Sequence, residues 1–466
     1  MFKSDIVWSL LSALLLKGVV SQEVGKEQYE RKPNITWQSC TSKDKCAVKK
    51  GQITLDANWR WLHDKGGYSN CFYDNTWDPR ICPTNTECTK KCAIDPNPNP
   101  TKSETLLTYG ISANASRLDL RYLTCSDYAS NMGSRMYLAS PNNTYEMFKL
   151  APNREFSFDV DVSQLACGLN GALYFVSMDA DGGMARYPTN KAGANYGTGY
   201  CDAECPRNLK YVNGQANVEG WMPSETDPQN GRGNYGSCCA EMRIWDANSM
   251  STSFAAKPCT TIEQSRCEGT NCGGPYSRDY HGAICDPEGC DLNPYRTGNT
   301  EFYGRTTSTR IRSVDTSRKF TVVTQFLGSG ADLEVKRFYV QNGTVIPNPS
   351  SRTPGVQGDS LTSQFCDQQK AAFGDRSSFQ EKGGMAAMSR ALEKGMVLVI
   401  SILDDHYSHL LWLDSVYPPD GDPKSPGVLR GECDPQSGNP TYPNNLYPDR
   451  VAFSNIKIGP LNSTFQ

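Results

Sequence analysis

The segment Phe156–Val162, FSFDVDV, alternates apolar and polar side chains one for one, the pattern of a strand with one face in a core and one in water. More strand signals follow. Leu169–Gly183 reads as a buried strand ending in the turn DADGG, and Thr321–Phe326, Arg337–Gly343, Met396–Leu403 and Val451–Pro460 are further β-rich runs. GSG at 328–330 marks a hairpin turn. Helical spacing is scarce: Met385, Met388, Ala391 and Leu392, closed by Gly395, predict one short helix before the 396–403 strand. In Ile53–Asp64, Trp59 and Trp61 stand two apart, so both are expected on one face of a strand, where they could stack on sugar rings. The pattern predicts an all-β, antiparallel chain with long loops.

Composition narrows the function. A net charge of −3 over 466 residues leaves no basic footprint for nucleic acid or an anionic membrane. Residues 1–21, with Lys3, the apolar run Ile6–Leu16 and Ser21 before Gln22, read as a secretory signal, too short for the roughly 20 apolar residues of a membrane span. Nineteen cysteines fit an oxidising, extracellular setting, and the odd number leaves at least one outside a disulfide. Their scattered spacing speaks against a zinc site. Sequons at Asn34, Asn114, Asn142, Asn342 and Asn462 suit a secreted glycoprotein, and the proline-rich stretch Asp95–Lys102 reads as a surface loop.

The chemistry is concentrated in Cys238–Cys259, CCAEMRIWDANSMSTSFAAKPC. Glu241 and Arg243 share a strand face by period two, whereas Asp246 reaches that face only through a bend or bulge. A retaining glycosidase needs two carboxyls about 5–5.5 Å apart, one to attack the anomeric carbon and one to protonate the departing oxygen. The stretch closely resembles the catalytic strand of glycoside hydrolase family 7, the fungal cellobiohydrolases and endoglucanases, whose pattern is C-C-x-E-M-D-I-W-E-A-N-S. Flanking segments such as KAGANYGTGYCDAECPR (191–207) and CDPEGCDLNPYR (285–296) extend the resemblance over about residues 30–460.

That resemblance implies a single domain over 22–466, without a carbohydrate-binding module. It implies a two-sheet antiparallel β-sandwich, a concanavalin-like jelly roll whose long loops roof a substrate tunnel for cellulose or a related β-1,4-glucan. It pairs Cys40 with Cys46, Cys71 with Cys92, Cys82 with Cys88, Cys167 with Cys433, Cys201 with Cys239, Cys205 with Cys238, Cys259 with Cys285, Cys267 with Cys272 and Cys290 with Cys366, leaving Cys125 over. It makes Glu241 the nucleophile and Asp246 the acid/base, with aspartate in place of glutamate. Arg243 then stands where the family has an assisting aspartate. Trp59, Trp61, Asn170, Tyr174, Asp291, Arg296, Arg430 and Trp412 become substrate-binding candidates. Lys257 takes the place of a histidine near the acid/base, Leu403 of a sugar-stacking tryptophan and Tyr280 of an arginine in the product site.

These departures predict impaired hydrolysis. Aspartate is about 1.5 Å shorter than glutamate, and a cation beside the nucleophile quiets it. Three readings stay open: a weakened cellobiohydrolase-like β-1,4-glucanase, an inactive relative that binds glucan chains, and a binder of acidic glycans through Arg243 and Lys257. Each is expected to be secreted, monomeric and free of cofactor. In Asp404–His409, DDHYSH, a strand would separate the two histidines, so a metal site is not expected there.

Overall fold

The alternation in FSFDVDV is realised as a strand, Arg154–Gln164, whose Phe156, Phe158, Val160 and Val162 are all fully buried. The structure is a computed structural model that describes residues 22–25, 30, 32–95, 107–125, 130–439 and 449–465. The expected signal segment 1–21, and all of the expected surface loop 95–102 except Asp95, lie outside the described residues.

Two sheets form. The back sheet runs in the order Thr344–Pro347, Glu334–Gln341, Phe320–Leu327, Arg154–Gln164, Arg450–Pro460, Arg117–Arg121, Ile111–Asn114, each pair antiparallel. The second sheet, which carries the site, runs Cys290–Leu292, Thr252–Lys257, Glu241–Ala247, Asn170–Val176, Met396–Leu403, Ser134–Ala139, Lys45–Leu55, Asn34–Ser42, again antiparallel. Asn34–Ser42 joins the two sheets, because Gln38 and Ser39 also pair in parallel with Lys457 and Ile458.

Period two decides what lies between the sheets. Leu173, Phe175, Met242, Leu398, Ile400 and Ile402 point inward and pack in one cluster with Phe156, Phe158, Val322, Phe326 and Phe453 of the back sheet. Fully burying each such side chain contributes about 1.5–3 kcal/mol. Their neighbours Ala172, Tyr174, Val176, Val397 and Val399 point the other way and form a second cluster under the loops. Both faces of Met396–Leu403 are therefore covered, and its sequence is apolar almost throughout rather than alternating.

The helix Gly384–Lys394 buries Met385, Met388, Ala391 and Leu392, as their spacing predicts. The expectation of a single helix needs correction, because Ser363–Phe373 is equally long. Thr362 accepts from the Phe365 amide at its start, left-handed Gly374 ends it, and Cys366 ties it to Cys290. Its apolar residues are few, so periodicity gave no signal. Nine disulfides form, with the partners set out above, and Cys125 stands outside them. All five sequon asparagines are exposed.

Candidate active site

A bulge in Glu241–Ala247 builds the site. Against Asn170–Val176 the register jumps between Leu173/Trp245 and Tyr174/Arg243, and against Thr252–Lys257 it jumps between Arg243/Ala255 and Asp246/Ser253. Ile244 and Trp245 consequently both turn into the inter-sheet core, each with no exposed surface. Asp246 thereby returns to the face that carries Glu241 and Arg243, as its odd offset required. Arg337, fully buried on the back sheet, donates to the Ile244 carbonyl and, at 3.2 Å, to the Thr324 hydroxyl. It spans the core to hold the bulge.

The three side chains meet. Arg243 Nε donates to Glu241 Oε1 at 2.8 Å, and its Nη1 donates to Asp246 Oδ1 at 2.7 Å. One guanidinium thus clamps both carboxylates, and the pair of carboxylates holds its pKa well above the usual arginine value in spite of burial. Asp246 Oδ1 also accepts from Asn170 Nδ2 at 2.8 Å, while Asn170 Oδ1 accepts from the Ala247 amide at 3.0 Å. The Tyr174 ring lies 5.0 Å from the Arg243 guanidinium and Trp412 lies 5.9 Å from it.

Lys257 faces Glu241 directly across the strand pair. Its Nζ donates to Glu204 Oε1 at 2.9 Å and stands 3.7 Å from Glu241 Oε2, an oxygen that is buried and accepts no hydrogen bond. Two disulfides place Glu204 there: adjacent Cys238 and Cys239, just ahead of Glu241, are tied to Cys205 and Cys201, which bracket Asp202 and Glu204. Asp202 accepts from the Tyr200 hydroxyl at 2.7 Å and from the Glu204 amide at 2.8 Å. Burial, reinforced by Glu241 and Glu204, pushes the Asp202 carboxyl up to about 7. Burial also works upward on Glu204, but Lys257 and then Arg243 outweigh it and hold that carboxyl at about 2. The Glu204 side chain is 53% exposed, so this end of the ion-pair network opens to solvent. Neither Asp202 nor Glu204 stood out in the sequence; the signal available was their position between two cysteines that bridge to the motif.

The expected sugar contacts are distributed over several layers of the fold. Tyr174 and Asn170 are 1% and 5% exposed. Tyr174 spends its hydroxyl on Tyr200 at 3.0 Å, and Asn170 spends both ends of its amide on the catalytic strand, so both support the site from beneath. Trp59 and Trp61 do not share a strand face. Asp56 caps a short 3-10 turn, Ala57–Trp59, and the strand begins only at Trp61. Trp59 is half-buried, with the Arg135 guanidinium 5.4 Å from its ring, and that guanidinium lies 3.3 Å over Tyr200. Trp61 stacks on His63 at 3.8 Å and donates to Asn70, leaving it half-buried on the other side.

Asp291, on the strand next to Thr252–Lys257, accepts from Arg296, and Arg296 also binds Asp375 at 3.0 Å. Burial and the neighbouring Arg296 push Arg430 down to about 10, and its Nε has no hydrogen-bond partner. Arg430 is thus the candidate with a donor to spare. Leu403 pairs with Asn170 at the rim beside Asp246. Among the loops, His406 bonds Asp404 at 2.7 Å and the Thr226 carbonyl at 2.9 Å, Tyr407 meets Tyr276 at 5.9 Å, and Arg232 lies 3.6 Å over Tyr276. Three loops converge there.

Paired carboxylates on one face of a bulged strand form a site of the glycosidase kind. The chain belongs to glycosyl hydrolase family 7, whose model matches residues 24–465. Among solved structures it is similar to a family 7 cellobiohydrolase from Daphnia pulex, at 46% identity and a TM-score of 0.91, over 95% of this chain and 100% of that one. It is also similar to a cellobiohydrolase from Melanocarpus albomyces complexed with cellotetraose, at 45% identity and 0.88 over the same shares. The similarity to the Humicola insolens endocellulase EGI is 31% identity and 0.77, with 95% and 100% covered. The back-to-back sheets described above are the β-sandwich of this family.

Proposed function

We propose that this chain is a secreted, monomeric protein that holds a β-1,4-glucan chain in a family 7 cleft and hydrolyses it at a severely reduced rate, with Arg243 as the cause. The observation that carries the reading is the double ion pair from one guanidinium to Glu241 and Asp246. Hydrolysis with retention asks Glu241 to attack and Asp246 to deliver a proton. In the clamp, one oxygen of each is already an acceptor of a charge-assisted hydrogen bond, and an ion-paired carboxylate has no proton to deliver.

Binding is assigned to other residues, chiefly Trp412, whose ring lies 5.9 Å from the Arg243 guanidinium, and Arg430. The acidic-glycan reading loses its motive, because Arg243 and Lys257 are both already ion-paired within the site. Cellotetraose, which the Melanocarpus enzyme was complexed with, is the probe. Calorimetry should detect its binding, and chromatography should show cleavage at least about a hundredfold slower than by a family cellobiohydrolase, the scale of loss that a misplacement of about 1 Å produces. Turnover equal to that enzyme's would refute the reading.

A further inference from the structure

His406 joins two loops that are distant in the chain, and its partners decide its protonation state. Its Nε2 lies 2.7 Å from Asp404 Oδ2, and its Nδ1 lies 2.9 Å from the carbonyl oxygen of Thr226, 180 residues away. A carboxylate and a carbonyl can only accept. Neutral imidazole has a single N–H and serves one of them, whereas imidazolium donates to both. The ring is 12% exposed, which leaves little room for water to replace a lost partner. The titratable groups facing it are Asp404 on its own loop, Asp227 on the loop 222–232, and Tyr122, which hydrogen-bonds Asp404. The bond to Asp404 comes first in raising the imidazole to about 9, and burial opposes it. Burial also opposes the Asp404 charge, but His406 and then Tyr122 outweigh it and hold that carboxyl below the usual range.

Each loop is otherwise held elsewhere. Asp405 accepts from the Tyr407 and Ser408 amides at 2.9 and 3.0 Å and from the Trp412 indole at 3.3 Å, so it binds its own loop to Trp412. In 222–232 the ends pair, Met222 with Arg232, and Asn75 donates to the Ser224 and Asp227 carbonyls at 3.0 Å. Tyr276 links the two loops only indirectly, meeting Tyr407 at 5.9 Å and the Arg232 guanidinium at 3.6 Å. The Nδ1 contact is the one direct hydrogen bond between them among the described residues.

We propose that His406 is a proton-operated latch: as imidazolium it fastens the loop 404–409 to the loop 222–232, and on losing a proton it lets the second loop go. The latch goes beyond glucan binding and does not rest on it. The proton lost is the one on Nδ1. Deprotonating Nε2 would turn a lone pair towards the Asp404 carboxylate, whereas deprotonating Nδ1 sets it against a neutral carbonyl and keeps the charge-assisted bond to Asp404. The Thr226 carbonyl then faces a lone pair, and the contact fails. Asp404 stays with the ring after the loops part, so the imidazole is raised in the parted state as well, and the change is confined to the neighbourhood of pH 9. The latch is closed below that pH and opens as pH rises through about 9.

The test uses the whole chain. The ring Cε1 resonances of its four histidines are followed against pH, and hydrogen exchange of peptides covering 222–232 is measured on the millisecond scale, each rate divided by the intrinsic rate at that pH. One resonance, the one missing in His406→Gln, should titrate near pH 9. Protection of 222–232 should fall about 10- to 100-fold across the same step, the loss of one hydrogen bond to a charged group. Glutamine carries no charge, so His406→Gln should show the low protection at every pH and no step. Asp404→Asn keeps the shape of the partner but removes its charge, and should move the step to lower pH; a ring that merely filled space would leave the midpoint where it was. Titration and exchange of the parent need no variant, so the latch stays testable if a substitution unfolds the chain. A ring that titrates at its ordinary value, or stays protonated beyond the exchange step, overturns the proposal. So does a step that survives in His406→Gln, or protection that holds while the ring loses its proton.

Discussion

Replacing Arg243 by Asp and Asp246 by Glu together should restore hydrolysis far more than either change alone. Each carboxylate is held by one charge-assisted hydrogen bond from Arg243, at 2.8 and 2.7 Å. Such bonds contribute about 1.5–3 kcal/mol each. If both must be broken on the way to the transition state, about 3–6 kcal/mol is added to the barrier, which at about 1.36 kcal/mol per tenfold is roughly 10²–10⁴ in rate. The missing methylene of Asp246 adds a factor of about a hundred. Arg243→Asp alone frees the nucleophile but leaves the acid short. Asp246→Glu alone restores the reach while the guanidinium still holds it. Removing the cation has a structural cost as well: breaking a buried ion pair by deleting one partner costs about 3–5 kcal/mol, and Lys257 would be left alone against Glu241, Asp202 and Glu204. The variants should therefore melt lower than the parent, and Lys257→His is the third step, returning a titratable group near the acid at the further cost of that cation. Initial rates on cellotetraose for the parent, both singles and the double, each with its affinity, decide the matter. A folded double variant that binds the sugar and stays inert would refute the reasoning and move attention to Leu403 and Tyr280. A parent as fast as the double would show that the clamp opens freely.

Asn170→Ala should destabilise the protein by about 1–3 kcal/mol, read as a lower urea midpoint, because the buried Ala247 amide loses its acceptor. His406 is raised from 6.5 to about 9, first by its hydrogen bond to Asp404. The folded protein holds that proton more tightly than the unfolded chain, so this contribution to stability is complete below about pH 6.5 and is lost as pH rises through about 9. Melting temperatures of the parent and His406→Gln should converge across that window, and parallel curves would refute the assignment. Asp202 has the same sign in a lower window: raised from 3.8 to about 7, chiefly by burial, it makes folding less favourable as pH climbs from about 4 to about 7. Asp202→Asn should accordingly raise the melting temperature above pH 7 and leave it little changed below pH 4.

The sequence by itself determined the β architecture, because the side-chain period of a strand is local and FSFDVDV shows it without reference to any other segment. It also determined that the strand bearing Glu241 must bulge, since carboxylates five positions apart cannot otherwise share a face. The pairing of cysteines was legible only through the resemblance to family 7, because spacing alone leaves many connectivities open. Only the tertiary structure decided where Arg243 points. A guanidinium between two carboxylates and one turned to solvent have the same sequence, and the difference lies in the bulge that brings Asp246 within its reach. The same holds for Lys257, whose partner Glu204 is 53 residues away in the chain, and for Arg337, which reaches Ile244 from the opposite sheet. Trp59 and Trp61 show the converse: two residues apart, they were assigned one face by a period that applies only inside a strand, and the cap at Asp56 starts a 3-10 turn there instead. Local periodicity fixes which way a side chain leaves its own strand, and register, bulges and crosslinks fix what it meets.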